Sequence, residues 1–339
     1  MGKTMKPDAT MKVNSNVHRM AGADLLANPD ARFMEYRRNW KEWPENFSTG
    51  GFPLFIDIEA TNACNLSCPF CPTTPKREVL EKDLISPDLV ARIIDEGAAN
   101  GLAGVKFNIR GEPLLHPRIA EFVKHAKSAG LIDVYFNTNG MLLTEEMSER
   151  LIDASLDRIS VSFEGYTKEM YEKYRVGSKY ETVLANIETM QALKRRMGAD
   201  RPKLRVQTVM LPEIETIKEE YKDFWKGRAD EVIFLDHQET GEKRRGRKYP
   251  WACQQLWQRM AVFCDGTILP CNHDFDGLIA LGNIKEISIK DAWCSDKLNR
   301  IRELHRKGAA HEIPACDNCC LRHSEIDNFL KREKGGVPK

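Results

Sequence analysis

The chain has 339 residues, of which 42% are apolar, and its 51 Lys and Arg nearly balance 50 Asp and Glu, for a net charge of +1. This balance gives no overall field to attract nucleic acid or a membrane surface, and no run approaches the ~18–20 apolar residues of a membrane span. Because no apolar signal segment opens the sequence, we expect a cytoplasmic protein whose ten cysteines are mostly thiols. Metal or redox chemistry is then favoured over the competing class, a secreted disulfide scaffold.

Strand and helix signals alternate along most of the chain. Residues 1–50 are polar and contain a predicted helix over 23–41, which we expect to cover one end of the fold. Further on, predicted strands cover 53–59, 104–109, 133–136, 158–163, 204–210 and 231–235, and predicted helices cover 86–101, 117–129, 144–154, 167–197 and 213–227. Helical crossovers between buried strands imply a parallel sheet. The pattern fits an open sheet or a partial barrel equally well.

Three cysteines follow the first predicted strand of this alternation. Cys64, Cys68 and Cys71 have three and then two residues between them, a spacing that indicates a metal site on one short loop. A [4Fe–4S] cluster usually takes four cysteines, so this loop would leave one iron with an open position, as catalytic metal sites do. A zinc site with a fourth ligand elsewhere is the alternative. Either site would lie at the carboxyl end of a strand, where ligands bind in parallel α/β folds.

This loop, placed inside six βα units, resembles the radical S-adenosylmethionine (SAM) superfamily over residues 52–236. The resemblance implies an α/β fold with a partial (β/α)6 barrel. It implies that Cys64, Cys68 and Cys71 hold a [4Fe–4S] cluster and that SAM chelates the fourth iron. It further implies reductive cleavage of SAM to a 5′-deoxyadenosyl radical, with electrons from a flavodoxin- or ferredoxin-type donor. The protein would then be an enzyme.

The same resemblance extends to residues around SAM. The sequence Arg110-Gly111-Glu112-Pro113 looks like the family's Gly-Gly-Glu motif with Arg in place of the first glycine, which implies that Glu112 holds the SAM amino group. The other cofactor-binding residues implied are Phe70 beside adenine, Asn137 and Asn139 near the ribose, and Ser162 at the carboxylate. The alternatives are that Phe70 is only an apolar neighbour, that Asn137 and Asn139 only form a turn, and that Ser162 is a hydroxyl of the core.

Seven of the ten cysteines lie beyond residue 252. Cys253, Cys271, Cys316 and Cys319, with Gly266 before the second, follow the order of the auxiliary-cluster region called SPASM, or twitch in its shorter form. Because further cysteines are lacking after Cys320, the resemblance implies one auxiliary [4Fe–4S] cluster and therefore two clusters in all. Structural zinc is the alternative for these four ligands.

The remaining cysteines and several polar residues are less informative. We expect Cys264 and Cys294 to be small buried side chains, whereas Cys320 is a rival of Cys319 as ligand. We expect His273 and Asp274 on a surface turn, with a role near the cluster as the alternative. The basic stretch 243–248 is interpreted as a solvated linker, with phosphate binding as its alternative.

These motifs predict four regions: an extension (1–50), the barrel (51–237), a linker (238–252) and an auxiliary-cluster domain (253–339). The favoured hypothesis is dehydrogenation of an alcohol carbon in a small carbohydrate, aminocyclitol or nucleotide-sugar substrate. The alternatives are a dehydratase or epimerase on a similar substrate, a ribosomal peptide maturase and a non-enzymatic electron carrier. Candidate general bases are His237, Glu239 and Asp274, and spacing does not choose among them.

Overall fold

One ten-stranded mixed sheet organises the fold. The computed structural model describes residues 17–22, 30–76, 83–237, 246–249 and 251–333. The strands are β1 (Val17–Gly22), β2 (Phe55–Ile58), β3 (Gly104–Lys106), β4 (Asp133–Thr138), β5 (Arg158–Ser162), β6 (Lys203–Met210), β7 (Glu231–Asp236), β8 (Arg259–Val262), β9 (Thr267–Leu269) and β10 (Gly282–Asn283). Their order in the sheet is β1-β7-β6-β5-β4-β3-β2-β8-β9-β10.

The six central strands, β2 to β7, pair in parallel with their neighbours in chain order. Every residue of β2 and of β5 is buried, as expected for parallel strands that are covered on both faces. The predicted six-stranded parallel sheet is therefore confirmed, and its carboxyl ends meet at one edge.

Helices connect these strands and continue into the C-terminal region. They are α1 (Ala31–Asn46), α2 (Pro87–Ala99), α3 (Ile119–Ser128), α4 (Glu145–Asp153), α5 (Lys168–Tyr174), α6 (Tyr180–Arg196), α7 (Pro212–Thr216), α8 (Lys218–Trp225), α9 (Ile289–Cys294), α10 (Asp296–Arg306), α11 (Pro314–Asp317) and α12 (Cys320–Glu333). The start of α2 follows its sequence signals, because Ser86 caps it by accepting the Leu89 N–H at 3.3 Å and Pro87 occupies the first turn. No helix of the described part of the chain is long and apolar enough to span a membrane.

Two predicted helices are each divided in the structure. The segment 167–197 forms α5 and α6, separated by a turn in which Gly177 has φ +95°, and the segment 213–227 forms α7 and α8. Glycine adopts this left-handed conformation without the steric cost of a Cβ atom. The helical region predicted over 167–197 therefore consists of two helices, and the turn between them lies close to the cysteine loop.

The N-terminal helix packs at the amino end of the sheet. The predicted helix over 23–41 corresponds to α1, which runs five residues further and includes Pro44; residues 23–29 lie outside the described residues. Its buried aromatic side chains, Phe33, Tyr36 and Trp40, join Phe55 of β2 in a separate apolar cluster. This cluster closes the end of the sheet opposite to the cysteine loop.

The cysteine-rich C-terminal region extends the same sheet. Strand β8 pairs in parallel with β2, from Phe55 opposite Arg259 to Ile58 opposite Val262, and β9 and β10 follow in antiparallel order. The sequence carries no strand alternation of any length here, since these strands have only two to four residues. The predicted domain boundary therefore lies between segments that share one sheet, and the four-part division stays a prediction.

Candidate functional site

The carboxyl ends of the parallel strands surround a cavity of about 520 Å³. Every residue that the sequence implied at the first cluster or at SAM borders it. They are Cys64, Cys68, Phe70, Cys71, Gly111, Glu112, Asn137, Asn139 and Ser162. The fold thus brings together side chains from four successive strand ends, and their individual roles stay predictions.

Each thiol of the cysteine loop has a polar neighbour. The pairs are Asn139 Nδ2 with Cys64 Sγ at 4.0 Å, Arg175 Nη1 with Cys68 Sγ at 3.7 Å, and Thr73 Oγ1 with Cys71 Sγ at 3.1 Å. Burial raises the pKa of the Cys68 thiol, and the positive charge of Arg175 opposes that effect. Hydrogen bonds to the ligand sulfurs are a regular feature of iron–sulfur sites. The surroundings of this loop therefore fit thiolates bound to a cluster.

The carboxylate of Glu112 is buried and accepts three hydrogen bonds from the protein. The donors are Thr138 Oγ1 at 2.7 Å and the backbone N–H groups of Asn139 at 2.7 Å and Leu114 at 3.1 Å. Burial raises the pKa of the Glu112 carboxyl, and these hydrogen bonds lower it. A carboxylate has about four lone-pair sites, so Glu112 retains capacity for one further donor. It thus links the ends of β3 and β4 and still offers an acceptor to the cavity.

Gly111 lies where the chain passes against the cysteine loop. A Cβ atom placed on Gly111 would lie 2.5 Å from the Ala63 carbonyl oxygen and closer still to that of Thr61. The neighbouring Glu112 N–H donates to the same Ala63 oxygen at 2.8 Å. Only glycine allows this approach, so the second position of the motif is sterically fixed.

Arg110, which replaces the motif's first glycine, connects the barrel to the C-terminal region. Its guanidinium binds both oxygens of the buried Glu59 at 2.7 Å and donates to the Phe275 carbonyl at 3.2 Å. It also lies 3.6 Å from the centre of the Phe263 ring. The departure from the family motif therefore supplies a bidentate ion pair.

The other predicted SAM contacts have simple surroundings. Ser162 ends β5, and its hydroxyl accepts a hydrogen bond from Gln207 Nε2 at 3.0 Å. Asn137 lies inside β4 and not in the turn that its sequence suggested, because the strand continues to Thr138. The Phe70 ring stands edge-on to Tyr174, 6.4 Å away between ring centres.

The turn between α5 and α6 adds a cation that sequence reasoning missed. Arg175 forms a bidentate ion pair with Glu164, which is fully buried, including an Nη2 to Oε1 contact of 2.8 Å. Its guanidinium also lies 5.3 Å from the Phe70 ring, and the Val176 carbonyl accepts the Ser67 N–H at 2.9 Å. The divided helix therefore fixes both the cysteine loop and a positive charge beside it. Glu164 offered a signal, since it is a charged residue just after β5.

Replacing Arg175 by Ala should lower the free energy of unfolding by about 3 to 5 kcal/mol, because it leaves the Glu164 charge buried without its partner. Chemical denaturation of the cluster-free protein measures this. The double variant Arg175→Ala/Glu164→Gln should recover part of the loss. Arg196→Ala, which removes an exposed pair with Glu145 and Glu149, should change little. Equal losses in both arginine variants would contradict the buried-pair argument.

The four predicted auxiliary ligands line a second, smaller cavity next to the first. Cys253, Cys271, Cys316 and Cys319 all border it, whereas Cys320 borders only the large cavity. The placement favours Cys319 over Cys320 as the ligand. Within the described ranges, no group of three or more His, Cys, Asp or Glu side chains is arranged to hold a single metal ion.

The surroundings of these four thiols fit thiolate ligands of a cluster. Burial raises the pKa of Cys271 and of Cys319 to about 12, and it raises the pKa of Cys253 and of Cys316 well above the usual value of a thiol. Buried thiolates therefore need a compensating positive charge, which metal binding supplies. Backbone N–H groups already point at three of the sulfurs, from Gln255 to Cys253, from His273 and Asp274 to Cys271, and from Leu321 and Arg322 to Cys319.

The two other cysteines differ in their exposure. Cys264 is 4% exposed, as expected, and its backbone N–H donates to Glu59 at 3.2 Å. Cys294 is exposed at the last residue of α9. The expectation that Cys294 is buried is therefore wrong, because the aromatic side chain before it, Trp293, faces the core instead.

The expected surface turn at 273–274 lies between the two cavities instead. Asp274 is 4% exposed and accepts the N–H groups of Leu278 and Ile279 at 3.0 and 2.8 Å. His273 borders both cavities. Asp274 thus serves a tight buried turn and borders only the smaller cavity.

The other candidate bases and the basic stretch are only partly described. His237 is exposed and borders the large cavity, whereas Glu239 and residues 243–245 lie outside the described residues. Arg247 is half-buried and pairs with Asp327 at 2.7 Å. Its guanidinium therefore belongs to an interface with α12 and not to a solvated linker.

Family models match both parts of this arrangement. The model of the radical SAM superfamily matches residues 58–208, and an iron–sulfur cluster-binding domain, SPASM, matches residues 253–320. The first match covers the cysteine loop and strands β3 to β5, and the second covers the four cysteines of the smaller cavity.

Individual relatives match to different extents. A probable GTP 3′,8-cyclase of Methanococcus maripaludis (strain C5) is 34% identical over 131 residues, which is 39% of this chain but only 43% of the cyclase. The S-adenosyl-L-methionine-dependent 2-deoxy-scyllo-inosamine dehydrogenase of Niallia circulans is 24% identical over 283 residues, covering 78% of this chain and 91% of that enzyme. The crystal structure of BtrN in complex with AdoMet and 2-DOIA covers 78% of this chain and 92% of BtrN, with a TM-score of 0.53 and 21% identity. That last likeness concerns the fold alone.

Proposed function

This chain belongs to the radical SAM superfamily and carries a SPASM-type iron–sulfur region, and from that premise we propose that it dehydrogenates an alcohol carbon of a small polyhydroxylated substrate. The observation that carries the proposal is the position of Cys253, which borders both the large cavity and the smaller four-thiol cavity. A substrate in the large cavity would thus lie beside both cysteine sets. The dehydrogenase relative, which matches over most of its length, supports the same reaction class.

We assign one [4Fe–4S] cluster to Cys64, Cys68 and Cys71 and an auxiliary one to Cys253, Cys271, Cys316 and Cys319. When bound, the cofactors would supply a radical able to take a hydrogen atom from the substrate carbon, and also an acceptor for the one electron that remains. The chain must then remove the hydroxyl proton as the C–O single bond becomes a carbonyl. Among the named base candidates that are described, His237 borders the large cavity.

Residues of the barrel would orient SAM within this cavity. Glu112 has one acceptor site left for the amino group, and Ser162 lies next to Gln207 at the end of β5. Phe70, Asn137 and Asn139 remain proposals for adenine and ribose. The region boundaries predicted from the sequence, 51–237 for the barrel and 253–339 for the auxiliary cluster, are part of this proposal, as is a flavodoxin- or ferredoxin-type electron donor.

The lining of the large cavity favours a polyol over a phosphorylated substrate. Amide side chains suit hydroxyl groups as both donors and acceptors. Besides Asn137 and Asn139, which are proposed for SAM, those of this cavity are Asn108, Gln207, Gln254, Gln255, Gln258 and Asn272. Its cations face buried carboxylates: Arg110 pairs with Glu59, Arg175 with Glu164, and Lys106 and Arg259 both with Asp57 at 3.0 Å. A carbohydrate or aminocyclitol therefore fits the lining better than a nucleotide sugar.

Anaerobic turnover of reconstituted protein with candidate polyols and aminocyclitols tests the proposal. We expect about eight irons per chain, one carbonyl product for each 5′-deoxyadenosine, and transfer of deuterium from the labelled alcohol carbon into 5′-deoxyadenosine. A product at unchanged oxidation level would instead indicate an epimerase or dehydratase. Turnover of peptides alone would indicate a maturase, and no 5′-deoxyadenosine on reduction with SAM would indicate an electron carrier.

A further inference from the structure

The auxiliary cavity contains a buried arginine with unsatisfied donors. Arg322 of α12 is 1% exposed and borders this cavity together with the four cysteines. Its Nη2 donates to the Arg247 carbonyl at 2.6 Å, but its Nε and Nη1 have no hydrogen-bond partner within the described residues. A buried N–H group without a partner costs free energy. Two guanidinium donors are therefore available to an anion held among the four cysteines.

A histidine supplies a further N–H group to the same cavity. His305 of α10 is 2% exposed, and its Nδ1 accepts the Cys253 N–H at 3.1 Å. The neutral ring then carries its proton on Nε2. That nitrogen lies 3.4 Å from Cys316 Sγ, so the ring donates an N–H···S hydrogen bond. The other three ligand sulfurs receive backbone N–H groups, whereas this side-chain donor can be replaced by mutation.

We infer that Arg322 and His305 are positioning residues that make the auxiliary cluster easier to reduce. This inference rests on the proposed function, in which an electron leaves the substrate toward that cluster. A cluster bound by four thiolates is an anion, and reduction adds a negative charge. A buried cation and a hydrogen bond to a ligand sulfur stabilise the more negative state, and both are established determinants of cluster potential.

The test isolates the auxiliary cluster in the full-length chain. In a parent variant with Cys64, Cys68 and Cys71 all replaced by Ala, anaerobic reconstitution should leave about four irons. An electron paramagnetic resonance redox titration then reports one midpoint potential. Arg322→Met and His305→Leu should each shift it to more negative values. Arg322→Lys, which keeps the charge, and His305→Gln, which keeps an N–H donor, should shift it less.

Arg302→Met is the matched control. Arg302, on α10, is likewise a buried arginine, and its Nη2 likewise has no hydrogen-bond partner within the described residues. Its Nε and Nη1 donate to the carbonyls of Leu256 and Trp293, and it borders neither cavity, so its replacement should leave the potential unchanged. An unchanged potential in both Arg322→Met and His305→Leu, with four irons retained, would overturn the inference and leave the dehydrogenase proposal intact. Loss of iron in both Arg322 variants and in both His305 variants would also overturn it, because these residues would then be needed to hold the cluster and would not simply set its potential. A parent variant without iron would overturn the two-cluster assignment itself.

Discussion

Replacing Cys68 by Ala is expected to reduce 5′-deoxyadenosine formation to background. Cys68 is the most buried of the three loop cysteines and the one next to Arg175. With two thiolates left, the loop should no longer hold the cluster that binds SAM in this superfamily. Chromatography of SAM cleavage products, together with iron counting, measures the effect. Cys294→Ala is the matched control, because Cys294 is exposed and borders neither cavity.

Replacing a cysteine of the auxiliary set should affect SAM cleavage and product formation differently. Cys316→Ala is expected to leave some SAM cleavage and to abolish formation of the oxidised product, since the first cysteine set remains complete. The ratio of 5′-deoxyadenosine to product should therefore rise. If folded Cys68→Ala and Cys316→Ala variants lost SAM cleavage equally, the proposed division of labour between the two sites would be wrong.

Gly111→Ala is expected to lower SAM cleavage by about 100-fold, the effect that a displacement of about 1 Å can have at a reacting centre. The added methyl group would meet the carbonyl oxygens of Thr61 and Ala63, which are backbone atoms and cannot rotate away. The cysteine loop or the Glu112 carboxylate must then shift. SAM binding and the rate of 5′-deoxyadenosine formation should both fall, while circular dichroism should retain the helical signal.

Gly51→Ala provides the control for this experiment. A Cβ atom on Gly51 meets no other atom within 4 Å, and its backbone is not left-handed. It should therefore cleave SAM at the parent rate. A Gly111→Ala protein as active as Gly51→Ala would show that the loop tolerates the displacement, and the steric argument for this motif position would fail.

The central sheet was predictable because its strands are short apolar runs with polar or glycine-rich ends. The strand predicted over 104–109 is too long: β3 ends at Lys106, and two of the residues after it, Asn108 and Ile109, border the large cavity. The helical region predicted over 167–197 was not resolved into its two helices. Gly177 is a local signal for the interruption, whereas the contact of this turn with the cysteine loop, through the Val176 carbonyl and the Ser67 N–H, is seen only in the structure.

The residues of the candidate site also fall into those that the sequence could predict and those that it could not. Cys64, Cys68, Cys71 and Glu112 stand in local motifs, so their sequence context was sufficient to single them out. Arg175 lies 107 residues from the thiol it contacts, and His305 lies 52 residues from Cys253, whose backbone N–H it accepts. Such groups carry no local pattern, because their role depends on which elements pack together. The prediction that Cys294 is buried failed because a helical pattern does not determine whether the last residue of a helix faces the core.

The pairing of β8 with β2 has a consequence for how the chain is made. Strand β2 is the first of the parallel strands to be synthesised, yet its partner on one side arrives about 200 residues later. Until then β2 is an open edge of a growing sheet, and unpaired edges are sites of aggregation. Closing a contact over this separation is also slow. A fragment that ends before residue 253 keeps this edge unpaired permanently, so its insolubility would reflect the missing strand before it reflected a missing cluster. Point substitutions of the ligands, which leave β8 in place, avoid that confusion.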